Sequence, residues 1–142
     1  MVKVSLVCNM LFTSQKNNTM MKLYADLHIH IGSAVGSPVK ITASRRLTIK
    51  NIILEAPRKG LDIVGIVDAG CTGVAQELVN LLDDGFIYES SDGGFIAYNG
   101  VLVIPGCEIE SREGVHLIIY LPSMQAIGDY IKLMKNKMKN QF

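Results

Sequence analysis

His28 and His30 are two of only three histidines in a chain of 142 residues, and they stand one residue apart in the stretch YADLHIH. In a strand, residues i and i+2 project to the same side, so the pair offers two imidazoles on one face, a chelating arrangement. An arbitrary His-x-His divides more often into one core and one exposed histidine. What favours chelation is the company further along. Asp68 closes the apolar run LDIVGIVD and Glu108 follows VLVIPGC, each at the carboxyl end of an expected strand, where parallel α/β folds carry their functional face. His116 follows Glu108 across IESREGV, a link too short for a crossover helix, so a tight turn returns it beside Glu108. Three imidazoles and two carboxylates suit Zn²⁺, Mn²⁺ or Fe, with a carboxylate able to bridge two ions. Paired ions activate water and clamp a phosphoryl oxygen, which is the chemistry of phosphoesterases. Taken singly, Asp68 and Glu108 are equally helix caps or turn residues, and their joint placement is what argues for a site. Cys71 and Cys107 adjoin it, but a cysteine beside a buried strand usually acts as a small hydrophobe.

The elements that must position these groups are legible in the pattern. Leu23–Ile29 reads as a short strand, followed by a loop through Gly32, Gly36 and Pro38. Thr48 can cap a helix carrying Ile49, Ile52, Ile53 and Ala56 on one face, ended by Pro57 and Gly60. LDIVGIVD is nearly continuous β-branched residue, as in a strand covered on both faces. Val74, Ala75, Leu78, Val79 and Leu82 mark a second amphipathic helix. Gly85–Gly100 reads as a β-hairpin or excursion with a Gly-rich tip, and two further strands follow, VLVIPGCEIE and VHLIIYLP. Met124, Ile127, Ile131, Met134 and Met138 then mark a terminal helix. The order predicts an α/β fold with mostly parallel strands, an open sheet or part of a barrel; a closed (β/α) barrel needs about 200 residues or more.

Hydrophobic residues make up 49% of the chain, enough for one core and, at this length, one domain. Fourteen basic and thirteen acidic residues leave a formal charge of +1, so no global field draws the protein to nucleic acid or membrane. Cys8, Cys71 and Cys107 form no CxxC pair, which argues against a disulfide framework and for a reducing, cytoplasmic setting. Val4–Phe12 is apolar behind Lys3, but Ser5, Cys8 and Asn9 interrupt it and no cleavage pattern follows. Residues 1–20 therefore read as a disordered or misassigned leader, with the domain spanning 21–142. No run approaches the roughly 20 apolar residues that span a bilayer.

Together YADLHIH, GLDIVGIVDAG, PGCEIES and GVHLIIYLP resemble the polymerase and histidinol phosphatase (PHP) domain, a metal-dependent phosphoesterase fold on a distorted (β/α)7 barrel. GSPVKITASRRLTIKNIILEA and KGLDIVGIVD are similar to the endonuclease Q branch and its bacterial relatives. The resemblance covers roughly residues 21–125 and implies the N-terminal part of such a barrel. It also implies that His28, His30, Asp68, Glu108 and His116 are ligands to two or three divalent ions, Zn or Mn, or Mg, with Glu108 bridging. A metal-bound water held by Asp68 and Glu108 would attack DNA beside deaminated or missing bases. Lys40, Arg45 and Arg46 are then candidates for phosphate contact, equally readable as a solvated loop. Two departures stand out: VDAG places Ala69 where many PHP domains have histidine, and the family's late Asp-x-His pair is absent. The expectation is thus a partial metallophosphoesterase whose barrel is completed by further chain or a partner. The alternatives are an inactive metal-binding remnant and a small-molecule phosphatase.

Overall fold

LDIVGIVD and VLVIPGCEIE lie side by side at the centre of the fold, because their side chains have apolar neighbours on both faces and nowhere else to bury them. The computed structural model describes residues 22–32, 34 and 44–137. Its strands are β1 (Ala25–Ile29), β2 (Ile63–Ile66), β3 (Ile87–Glu89), β4 (Phe95–Ala97), β5 (Leu102–Glu110) and β6 (His116–Tyr120). Its helices are α1 (Ile49–Glu55), α2 (Thr72–Asp83) and α3 (Met124–Lys137). The sheet runs β1-β2-β5-β4-β3, with β6 also on β5. β1, β2 and β5 pair in parallel, whereas β3–β4, β4–β5 and β5–β6 are antiparallel. Four strands, β1, β2, β3 and β5, therefore run the same way, in line with the α/β expectation. The Gly-rich stretch is a true hairpin, β3–β4, paired back onto the first half of β5.

β5 changes partner along its length. Leu102 and Val103 pair with β4, and Gly106–Glu110 pair with β6. Pro105, which has no N–H to donate, sits at that changeover and accepts from the Leu121 N–H at 2.8 Å.

The helices follow their apolar periodicity. Thr48 accepts the Asn51 N–H at 3.2 Å at the start of α1, and Gly60 closes the following 3₁₀ turn in the left-handed conformation. α1 buries Ile49, Ile52 and Ile53. α2 buries Val74, Leu78 and Leu81, so its stripe includes Leu81, which the apolar spacing alone does not single out. α3 buries Ile127, with Met124, Tyr130 and Ile131 packed around it; Met138 lies outside the described residues. So do residues 1–20 and Lys40. Among the described residues, no helix is long and apolar enough to cross a membrane.

A single irregularity in β1 decides which way the histidines face. Asp26 pairs with Val64 and Ile29 with Ile66, so three steps along β1 match two along β2, which is a β-bulge. A one-residue slip turns all later side chains to the other face. Unbulged pairing would set His28 opposite Ile66, on the α1 side; with the bulge Ile29 takes that place, and the flanking His28 and His30 turn the other way. Val103 and Pro105 share the face of Val64 and Ile66, so alternation along β5 puts Glu108 on the histidines' face.

β1 also crowds β2. A methyl group on Gly65 would sit 2.6 Å from the Leu27 carbonyl oxygen and 2.7 Å from its Cα, both backbone atoms that cannot turn aside. Gly65→Ala is therefore expected to cost about 1–3 kcal/mol of stability, the usual range for overpacking. Urea denaturation checks it, and an unchanged midpoint would contradict the packing described.

Candidate metal centre

Glu108 is the hub. It is a charged side chain with 5% of its surface exposed, on a central strand, so its oxygens need partners. Oε2 lies 3.0 Å from His30 Nε2 and 3.3 Å from His28 Nε2, and Oε1 lies 2.7 Å from His116 Nδ1. Each partner arrives by a different route. His28 and His30 come from the end of β1 with ring centroids 5.2 Å apart. His116 comes from the start of β6, whose register sets it opposite Glu110. Glu110 and Glu108 are two apart on one face, so the imidazole of His116 reaches back to Glu108. The tight turn that brings it there is closed by bonds from the Ser111 N–H to the Val115 carbonyl at 2.8 Å and from the Gly114 N–H to the Ser111 carbonyl at 3.0 Å.

Asp68 stands behind His30. Its Oδ2 lies 3.1 Å from His30 Nδ1 and accepts the Ile31 N–H at 2.7 Å. A carboxylate that accepts a hydrogen bond from the N–H of one ring nitrogen orients the ring and turns the other nitrogen, here Nε2, toward the site. These contacts show in the acid–base balance. The hydrogen bond to Asp68 raises the pKa of His30 above its ordinary value; burial opposes this, and the charges of Asp68 and Glu108 add to it. Burial alone would push the Glu108 carboxyl up, but the hydrogen bond from His116 and the two β1 histidines outweigh it and hold the pKa low.

The donor set suits a divalent ion. One donor atom from each of His28, His30 and Glu108 lies within 4.8 Å of the others. Ligands to zinc stand about 2.0–2.2 Å from the ion, so in a tetrahedral site two of them are about 3.3–3.6 Å apart, and closure from 4.8 Å needs the furthest pair to approach by about 1.2–1.5 Å. Imidazole nitrogen with carboxylate oxygen matches Zn²⁺ or Mn²⁺. Asp68 lies outside this trio, against His30 Nδ1, and His116 reaches it through the other oxygen of Glu108.

Among the described residues, neither Cys71 nor Cys107 belongs to this set. Burial pushes the Cys107 thiol up to about 12, and Tyr130 hydrogen-bonds to it. Cys71 and Cys107 are both buried in the core. Arg45 and Arg46 are exposed where the loop after β1 returns, and the neighbouring Leu47 carbonyl accepts the Gly32 N–H at 2.9 Å. Sequence reasoning missed Asp26 and Tyr120, which bond the backbone between Leu27 and His28. The outward sign of this contact is a pair of glycines, Gly65 and Gly106, within otherwise bulky strands.

No family model matches the chain. Over 128 residues, 85% of its length, it is 34% identical to YqxK, an uncharacterized protein of Bacillus subtilis (strain 168), and covers 33% of it. Its fold is similar to that of an endonuclease Q in complex with a 27-mer duplex substrate carrying an abasic lesion at the active site. The TM-score is 0.61 and the identity 27%, over 79% of this chain and 25% of that one. It is equally similar to the lesion-specific endonuclease PfuEndoQ from Pyrococcus furiosus, with TM-score 0.60, identity 28% and the same coverage. The chain thus spans about a third of the curated relative and a quarter of the solved ones, and shares an endonuclease Q-like fold over most of its own length.

If Cys71 and Cys107 are core thiols rather than ligands, iodoacetamide at pH 8 leaves both unlabelled in the native protein and labels both after unfolding. Peptide mapping reads this directly. Rapid native labelling of Cys107 would contradict the burial and its raised pKa. Asp68→Asn, which removes the charge behind His30, is expected to weaken metal affinity about 10–100-fold in a calorimetric titration.

Proposed function

We propose that this chain carries the metal-binding part of a phosphodiester-cleaving centre of the endonuclease Q type, on the N-terminal portion of a PHP-like barrel in a cytoplasmic protein. The single observation that supports it most is the division of labour at Glu108, one oxygen facing His28 and His30 and the other facing His116. His28, His30, Glu108 and His116 would hold the divalent ions, with Glu108 in contact with all three imidazoles. Divalent ions held there supply Lewis acidity toward a phosphoryl oxygen and acidify water.

The chain's own residues then have distinct parts. Glu108 neutralises positive charge at the centre while staying ionised. Asp68, fixed by the Ile31 N–H, keeps the proton of His30 on Nδ1 and leaves Nε2 as a donor. His28 and His116 are half-exposed and leave the site open on the side a substrate must approach. Arg45 and Arg46 offer positive charge for backbone phosphates, and Lys40, outside the described residues, extends that set. The endonuclease Q comparison supports a DNA substrate with a lesion. The exposed apolar side chains of Val115, Leu117 and Ile119 on and beside β6 favour a covering layer, from a longer polypeptide or from a partner, of the kind that would complete the barrel.

The test uses the purified chain with Mn²⁺ or Zn²⁺, in parallel with Glu108→Gln. Elemental analysis is expected to find at least one ion per chain, and the variant to lose affinity by at least about 100-fold, beyond the range for an outer partner. With metal, duplex DNA bearing an abasic site or deoxyuridine is expected to be bound and nicked in preference to intact duplex, and a phosphomonoester left uncut. Hydrolysis of the monoester alone would favour a small-molecule phosphatase. Metal uptake with no effect on either substrate would favour a binding module, and no uptake would sink the metal centre.

A further inference from the structure

The register of β1 on β2 shifts between Asp26 and Ile29. The peptide joining Leu27 to His28 lies inside that stretch, and side chains satisfy both of its polar groups. The Tyr120 hydroxyl donates to the Leu27 carbonyl at 2.6 Å, across 93 residues of sequence, and Asp26 Oδ1 accepts the His28 N–H at 3.2 Å. Tyr120 belongs to β6, with β2 and β5 between it and β1, and its ring reaches there over Gly106 of β5. A methyl group on Gly106 would lie 2.9 Å from Tyr120 Cδ1. Gly65 of β2 leaves room below, since a methyl group there would meet Leu27 itself. Two glycines in neighbouring strands thus clear the path for one phenol to reach one carbonyl.

The consequence falls on the histidines. With Asp26 opposite Val64, regular alternation would turn His28 and His30 toward α1, away from Glu108. The bulge reverses them, and what pins the bulge decides where the imidazoles point. Backbone groups taken out of a ladder persist there only while other partners satisfy them. We infer that Tyr120 is a positioning residue for the metal centre, a latch from β6 that holds the Leu27–His28 peptide out of the sheet and so sets the donor positions of His28 and His30. It also ties β6, the strand of His116, to β1, so one hydrogen bond keeps the two histidine-bearing segments in register across Glu108.

Tyr120→Phe keeps the ring over Gly106 and removes only the hydroxyl; Tyr88→Phe, on an exposed tyrosine of β3, is the control. The first readout needs no metal. In the ¹H–¹⁵N spectrum of the metal-free protein, Tyr120→Phe is expected to shift the amides of His28, Ile29 and His30 while those of α2 and α3 stay in place. The second is cobalt(II) binding, which rests on the proposed metal centre: affinity falls about 10-fold and the visible bands change shape, as loss of an orienting partner does elsewhere. The control matches wild type in both. Unchanged amides at 28–30 would overturn the latch, and so would wild-type cobalt affinity and spectrum in the variant. If wild type itself takes up no cobalt, the metal reading fails and the amide shifts alone decide the latch.

Discussion

A carboxylate buried at the centre of a sheet is the constraint around which this molecule is organised. Removing an ionised group from water costs on the order of several kcal/mol even after relaxation, and the cost is met only by well-placed partners. Glu108 finds them in all three histidines of the sequence, two from β1 and one from β6. β6 lies beside β5, but β1 is separated from it by β2, so the sheet must bring its first strand over its third. Among the described residues, no buried side-chain nitrogen or oxygen lacks a hydrogen-bond partner. The buried polar atoms of the cluster are therefore all satisfied, which is the condition under which such networks rigidify a site rather than weaken a core.

Much of this was legible in residue types and spacing. The i, i+2 rule put His28 and His30 together, the short link after Glu108 returned His116, and the apolar stripes located α1 to α3. Two things were not legible. The face to which the histidine pair turns depends on the β1 bulge, and no local pattern in YADLHIH marks it, because the groups that hold it include Tyr120, distant in sequence. The contact of Asp68 also depended on tertiary detail: no spacing in the sequence says that its carboxylate meets Nδ1 of His30. The hairpin β3–β4 was ambiguous for a simpler reason. Its strands are three residues each, too short for alternation alone to say what they pair with.

The rest of the fold reads as support for the hub. The parallel trio β1, β2 and β5 supplies strand ends at one edge, and α1 and α2 cover its other face with Ile49, Ile53, Val74 and Leu78. β4 and β6 share one side of β5 in succession, so a single nine-residue strand holds both the structural hairpin and the histidine-bearing return. Chemistry and packing meet at Asp68, Cys107 and Glu108. Burial raises the pKa of the Cys107 thiol next to the hub, and the side chain packs in the core.

Diffraction tests most directly whether these groups converge in order to hold metal. Crystals grown with Mn²⁺ or Zn²⁺ and measured on both sides of the absorption edge should show an anomalous peak in bonding contact with His28, His30 and Glu108, with Asp68 still on His30 Nδ1. Metal-saturated crystals in which the imidazoles remain hydrogen-bonded to Glu108, with anomalous peaks only elsewhere on the surface, would contradict it.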